Sequence, residues 1–258
     1  MDLQLKGKTA IVTGGSAGIG LAITKALAAE GVTVTVPGRS KEKLDQALAG
    51  ISNVKPIVAD VATAEGAEAL IQQVPDTDIL VNNLGIYEAK PFAEITDADW
   101  LKIFEVNVLS GVRLSRHYFP HMLERKQGRV IFISSESGVM TPSEMIHYGV
   151  TKSSQLAIAR GLAELTKGTA VTVNTILPGP TRSEAIIEFL ESMSSVKNPT
   201  PEQAEREFFE KHRQSSLLQR LIEGEEIANL VAYIASPLSA ATNGAALRAE
   251  GGLLRSIV

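Results

Sequence analysis

Tyr148 and Lys152, four positions apart in the stretch HYGVTK, are residues whose types and spacing suit proton chemistry. On a helix, positions i and i+4 share a face, so the phenol and the ammonium would point the same way. A cation about 4 Å from a phenol, at an effective dielectric near 20, favours the phenolate by about 4 kcal/mol, or roughly three pKa units below the free value of about 10. Solvent screening and burial of the phenolate both oppose that shift. The spacing by itself also fits an ordinary pair on a helix surface, and the surrounding sequence has to separate the two readings.

A second chemical feature lies near the start. TGGSAGIG, residues 13–20, follows the β-branched run TAIVT and opens a helical pattern. Gly14, Gly18 and Gly20 let the chain turn tightly, bring a pyrophosphate close to the backbone and pack helix against strand, while the helix N-terminus attracts anionic phosphate. The spacing is G-x-x-x-G-x-G and not the commoner G-x-G-x-x-G, so position after the first strand carries the dinucleotide reading.

The elements that must position these groups follow from periodicity. Residues 9–13, 32–36, 54–59, 78–83, 128–134 and 170–177 are rich in Val, Ile and Thr and read as strands, with a last strand expected near 246–252. Between them, GLAITKALAAEG, KEKLDQALAG, AEGAEALIQQV, the long stretch 97–126 and YGVTKSSQLAIARGLAELTKG carry apolar residues at helical spacing. Strands apolar nearly throughout belong to a parallel sheet covered on both faces. The expected fold is α/β, a single doubly wound Rossmann domain over 1–258 with a mostly parallel seven-stranded sheet.

Composition narrows the function. The 258 residues are 44% hydrophobic, contain no Cys and four His, and carry a net charge of −4, which argues against disorder, thiolate chemistry and a zinc site. No basic stripe suits nucleic acid, and no apolar run reaches the ~18 residues of a membrane span. A cytoplasmic protein with a small-molecule ligand is expected. His117 and His121 have i, i+4 spacing but no third ligand in evidence, so no catalytic metal is expected.

With TGGSAGIG, Asp60-Val61, NNLG at 82–85, Asn107, Ser135, YGVTK at 148–152 and LPGPT at 177–181 in hand, the chain resembles the short-chain dehydrogenase/reductase family over nearly its whole length. The resemblance implies a nicotinamide dinucleotide on Gly14, Ser16, Gly18, Ile19 and Gly20, with Asp60 and Val61 at the adenine, Asn83 and Gly85 supporting sheet and cofactor, and Thr181 near the nicotinamide. It also implies a homo-oligomer, tetramer or dimer, built partly on the long helix.

Ser135 ends the fifth strand and Tyr148 starts the next helix, which places both at the carboxyl edge of the sheet, where doubly wound folds bind ligands. The expected reaction is hydride transfer between nicotinamide and a ketone or secondary alcohol, with Tyr148 as general acid or base and Ser135 bonded to the substrate oxygen. Lys152 would lower the Tyr148 pKa and bind the nicotinamide ribose. By resemblance Asn107 would hold a water relaying protons to Lys152; by itself it reads as a locally hydrogen-bonded polar residue in a helix. Two departures bear on geometry: Leu84 stands where a small Ala is typical, and Glu250 where Asp is commoner. A silent dinucleotide-binding sensor or scaffold, and a Rossmann methyltransferase, are the competing classes; neither needs Ser135, Tyr148 and Lys152 together.

Two regions tune specificity. Residues 183–216 read as a substrate lid of two short amphipathic helices, with Ile186, Ile187, Phe189, Leu190, Phe208 and Phe209 either forming an apolar wall or packing on the core. In VPGRSKEK (36–43), Gly38 occupies the position where a carboxylate would select NAD(H), and Arg39 follows with Ser40, Lys41 and Lys43. NADP(H) is favoured, with NAD(H) the alternative.

Overall fold

The structure is a computed structural model that describes residues 1–257. Seven strands, β1 (Thr9–Val12), β2 (Thr33–Gly38), β3 (Val54–Val58), β4 (Ile79–Asn82), β5 (Gln127–Ile133), β6 (Ala170–Pro178) and β7 (Ala246–Ala249), form one sheet in the order β3-β2-β1-β4-β5-β6-β7. Every neighbouring pair is parallel, from Val36↔Pro56 at one edge to Leu177↔Arg248 at the other. Pro56 is tolerated because β3 is an edge strand, where a missing N–H costs no ladder bond on the open side.

Helices α1 (Gly18–Ala29), α2 (Lys41–Leu48), α3 (Ala64–Gln73), α4 (Asp97–Phe104), α5 (Ser110–Glu124), α6 (Ile146–Glu164), α7 (Glu184–Met193), α8 (Pro201–Lys211) and α9 (Gly224–Ala235) connect the strands. The strand pleat sorts their partners. Along β5, Ile131 and Ile133 join the core under α1 and α9, with Ile23, Leu27, Ile227 and Val231, whereas Val130 and Phe132 join the opposite core, with Leu70, Leu114, Tyr118 and Met122. A third, smaller cluster of Leu190, Ala204, Phe208, Phe209 and Leu221 ties α7 to α8.

The expected strands appear within a few residues of their sequence positions. The long helix of 97–126 does not run straight through: a π-helical turn, Glu105–Leu109, separates α4 from α5. Its wider ring, closed by the Ser110 N–H on the Glu105 carbonyl, re-aims the residues it contains, and Asn107 is one of them. Among the described residues no helix is long and apolar enough to cross a membrane.

Candidate functional site

The strand order reverses direction between β1 and β4, which opens a crevice at the carboxyl ends of the strands. A cavity of about 700 Å³ occupies it. On one side lies the glycine turn. Gly14 has φ +64°, a left-handed conformation, and a Cβ at Gly20 would sit 2.2 Å from the Gly14 carbonyl oxygen. Backbone therefore packs on backbone where a side chain would fill the cradle. Ser40, Thr63, Thr96, Ser183 and Thr200 cap the helices that follow them, but no side chain caps α1, so its first-turn N–H groups stay free for an anion. Gly18, Ile19 and Gly20 line the cavity there, as do Gly14 and Ser16.

Asn83 and Gly85 also line it. Asn83 Nδ2 donates to the Thr13 carbonyl at 2.9 Å, and the backbone N–H groups of Asn83 and Leu84 both donate to Thr13 Oγ1 at 2.9 Å, fastening the end of β4 to the glycine turn. Leu84 faces the cavity while packing partly on the α3–α5 core, so the departure at this position crowds the cavity wall without breaking that fastening. Thr181 completes the rim, with its hydroxyl turned to the Gly179 carbonyl. Glu250 is buried and accepts from Arg248 Nε and from the Leu253 and Leu254 N–H groups, which is a structural task in the C-terminal turn.

Asp60, Val61 and Arg39 lie outside the cavity lining. Asp60 Oδ1 accepts from the Ala62 N–H at 3.2 Å, and Val61 is buried in the α3–α5 core. Arg39 is exposed just beyond β2, whereas Lys41 is paired with Asp45, so the local positive field is smaller than four adjacent cationic and polar residues suggest.

Ser135 and Tyr148 meet at the wall of the cavity, Ser135 just past β5 and Tyr148 in the first turn of α6. The Ser135 hydroxyl donates to the buried Glu136 carboxylate and accepts the Ser137 N–H at 3.1 Å. Burial pushes the Tyr148 phenol well above its usual pKa, and the Glu136 charge adds to the rise while the Ser135 hydroxyl opposes it. The expectation that Lys152 brings Tyr148 toward neutrality is therefore corrected. Lys152 Nζ donates to the Ile133 carbonyl at 2.9 Å and to Gln155 Oε1 at 3.3 Å, and stands 5.6 Å from the centre of the Tyr148 ring. Desolvation leads the rise at the phenol, and it pulls Lys152 itself down to about 8 against the opposing charge of Glu136. Glu136 is in turn pushed up by burial, against the hydrogen bonds of Ser135 and Ser137 and the charge of Arg213.

Asn107 is tied to two neighbouring segments. Its side chain accepts from the Ile86 N–H at 2.7 Å and donates to the Ile86 carbonyl at 2.9 Å and Thr151 Oγ1 at 3.0 Å, clasping the loop after β4 to α6. Its own carbonyl accepts Gln155 Nε2 at 2.6 Å. A link from Asn107 to Lys152 thus runs through the side-chain amide of Gln155. The π turn matters here, because it changes which backbone carbonyls face α6.

Four residues at the site escaped the sequence reading: Glu136, Gln155, Tyr87 and Arg213. Gln155 carried a signal, standing three positions after Lys152 on the same helical face. Glu136, a carboxylate beside Ser135 at the end of a buried strand, was legible too. Tyr87 packs edge-on to Tyr148 at 6.2 Å and to Phe189 at 5.8 Å, and Arg213 arrives from beyond α8; neither carries a local signature. Of the six lid candidates, Ile186, Phe189 and Phe208 line the cavity, Leu190 and Phe209 are buried in the small cluster, and Ile187 is half-buried in neither. His147 is buried against Trp100, their rings 5.9 Å apart, and lies outside the lining. His117 bonds the Pro75 carbonyl at 2.9 Å, and among the described residues no cluster of three His, Cys, Asp or Glu could hold a metal ion.

Residues 8–193 match the short chain dehydrogenase family. An uncharacterized oxidoreductase of Bacillus subtilis, YvaG, is 49% identical over the full length of both chains. Among solved structures, L-sorbose reductase from Gluconobacter frateurii, complexed with NADPH and L-sorbose, superimposes with a TM-score of 0.93 at 28% identity, each chain covered completely. A putative NAD(P)-dependent gluconate 5-dehydrogenase from Beutenbergia cavernae, with bound NADP, has a TM-score of 0.85 at 28% identity over 99% of this chain and 100% of its own.

Proposed function

The chain belongs to the short-chain dehydrogenase family, a family of nicotinamide-dependent oxidoreductases, and from that premise we propose that it reduces a ketone to a secondary alcohol with NADPH, Tyr148 giving the proton. One observation carries the reading: Ser135 and Tyr148 share a cavity with the uncapped start of α1. The residues present suit the cofactor, because the glycine cradle and the free first-turn N–H groups match a pyrophosphate. The bound nicotinamide supplies the hydride.

The protein's own groups manage the proton. A phenol whose pKa is raised stays protonated at neutral pH and serves as the acid of a reduction; an alkoxide forming at the carbonyl oxygen is basic enough to take its proton. The same shift leaves little phenolate at neutral pH to take a proton in the oxidative direction. Ser135 polarises the carbonyl once its hydroxyl turns from the Glu136 carboxylate to the substrate oxygen. Lys152, at about 8, exchanges a proton near neutral pH and is suited to restoring the phenol once the ribose is in place.

NADP(H) preference rests on Gly38 and the exposed Arg39, and the two solved relatives bound to NADPH and NADP support it. Residues 183–216 would act as the lid, their Ile186, Phe189 and Phe208 giving a partly apolar substrate wall. Assembly as a dimer or tetramer would use the α4–α5 face, where Leu101 is 73% exposed. The test is ketone-dependent oxidation of NADPH. Tyr148→Phe should lower kcat by about 10²–10⁴-fold with NADPH binding nearly unchanged; a variant as active as its parent would overturn the mechanism.

A further inference from the structure

Glu136 and Arg213 are 5% and 7% exposed, both line the cavity, and the proton transfer described above assigns no task to Arg213. Their closest approach, Arg213 Nε to Glu136 Oε1, is 3.8 Å, too long for a hydrogen bond. Arg213 Nη1 donates to the His212 carbonyl at 2.9 Å and to Glu144 Oε1 at 3.3 Å, and the guanidinium lies 5.2 Å over the Phe208 ring, but Nε has no partner at all. Glu136 accepts one hydrogen bond from Ser135 and one from Ser137, which leaves part of its capacity free. A buried charged pair with open donor and acceptor sites is costly unless something fills them.

Resting on the carbonyl-reducing reading, we propose that Glu136 and Arg213 bind a hydroxyl of the substrate, so that the ketone this site takes is neutral and carries a hydroxyl close to its carbonyl. A hydroxyl is the group that fits, because it can donate to the carboxylate and accept from the guanidinium at once. Closeness follows from the chain: Glu136 adjoins Ser135, so a ketone whose oxygen meets Ser135 brings its neighbouring carbons to Glu136. Charge excludes the acidic analogue. Two carboxylates, Glu136 and Glu144, flank the single Arg213, and a substrate carboxylate would add a third negative group beside Glu136. Tyr87, Met145 and Phe189 supply apolar lining elsewhere in the cavity and leave room for a hydrocarbon part.

The experiment compares kcat/KM with NADPH for three small carbonyl compounds of similar size: hydroxyacetone, butanone and pyruvate. Hydroxyacetone should exceed butanone by at least tenfold, the worth of one hydrogen bond to a charged group, and pyruvate should be the poorest of the three. In Glu136→Leu the hydroxyacetone-to-butanone ratio should fall toward one, and in Glu136→Gln, which keeps shape and an acceptor, it should fall less. NADPH titration of both variants checks that the fold persists. Butanone reduced as well as hydroxyacetone by the unmodified enzyme, pyruvate preferred, or a ratio unchanged in a folded Glu136→Leu overturns the hydroxyl reading and leaves carbonyl reduction standing. No NADPH oxidation with any of the three, under conditions where NADPH binds, overturns both.

Discussion

The end of β5 with α6, and the helices α7 and α8, line the same cavity but are held by different forces. On the first side the bonds are buried and polar. Lys152 Nζ reaches the Ile133 carbonyl, Ser134 Oγ donates to the Lys152 carbonyl at 2.9 Å, Ser153 Oγ donates to the Gly138 carbonyl at 2.7 Å, and Gln155 joins Lys152 to Asn107. In a low-dielectric interior such bonds are strong and their loss leaves unpaired groups, so the reactive residues keep one geometry. On the second side, α7 and α8 share their own apolar cluster, and the polar contacts around it are partly exposed ion pairs, Arg182 with Glu205 at 3.0 Å and with Glu223 at 2.9 Å. Pairs of that kind are worth about 0–1 kcal/mol each. The wall of α7 and α8 thus has a small core of its own and meets the Ser135–Tyr148 side through Tyr87 and through Arg213.

The largest expected effect probes the buried side. Lys152 has a folded pKa of about 8 against the usual 10.5, so between those values the unfolded chain binds more protons and stability rises with pH. Relative to Lys152→Met, which lacks the titration, the unmodified protein should gain about 3 kcal/mol as pH rises from 8 through 10.5. Urea unfolding of both proteins at pH 7 and at about pH 10.5 measures it, and a difference independent of pH would mean that Lys152 is not charged at a cost.

A smaller effect contrasts that buried cation with an exposed one. Arg39→Leu should lower the NADPH-to-NADH ratio of kcat/KM by about tenfold to a hundredfold, the worth of a charge-assisted contact to the 2′-phosphate. Adding Gly38→Asp is less clean, because a Cβ there would lie 2.9 Å from Leu44 Cδ2 and force Leu44 to move. An unchanged ratio in Arg39→Leu would show that the phosphate is read elsewhere.

The smallest effect concerns the second side alone. Phe209→Ala should speed protease cleavage within 183–216 by roughly severalfold while moving the global unfolding midpoint less than Leu80→Ala in the main core does, since a separate cluster opens locally. NADPH with a ketone should slow cleavage of the unmodified protein if 183–216 closes over them. Equal cleavage with and without ligands would count against a lid, and equal midpoint losses in the two variants would merge the regions this comparison separates.

Local pattern was enough to place the strands, to put Tyr148 and Lys152 on one helix and to bring Ser135 to the same sheet edge, because periodicity and strand ends are short-range properties. It did not reveal the π turn at Glu105–Leu109, which interrupts a helical pattern that continues on both sides. Asn107 was selected by resemblance, yet its role as a clasp depends on Ile86 and Thr151, which are remote in sequence.

By itself, then, the sequence determined the strands and helices of the doubly wound sheet, the glycine cradle and the placing of the Tyr148 phenol and Lys152 on one helix, since each depends on residues within a turn or two of one another. Only the tertiary structure decided what surrounds that phenol. Spacing put Lys152 beside Tyr148, but the energy of a phenolate depends on how much water the fold removes and which charges it brings in their place. Here it removes enough to raise Tyr148, turns Lys152 Nζ toward Ile133 and Gln155, and sets Glu136 next to Arg213, a juxtaposition that no local pattern encodes.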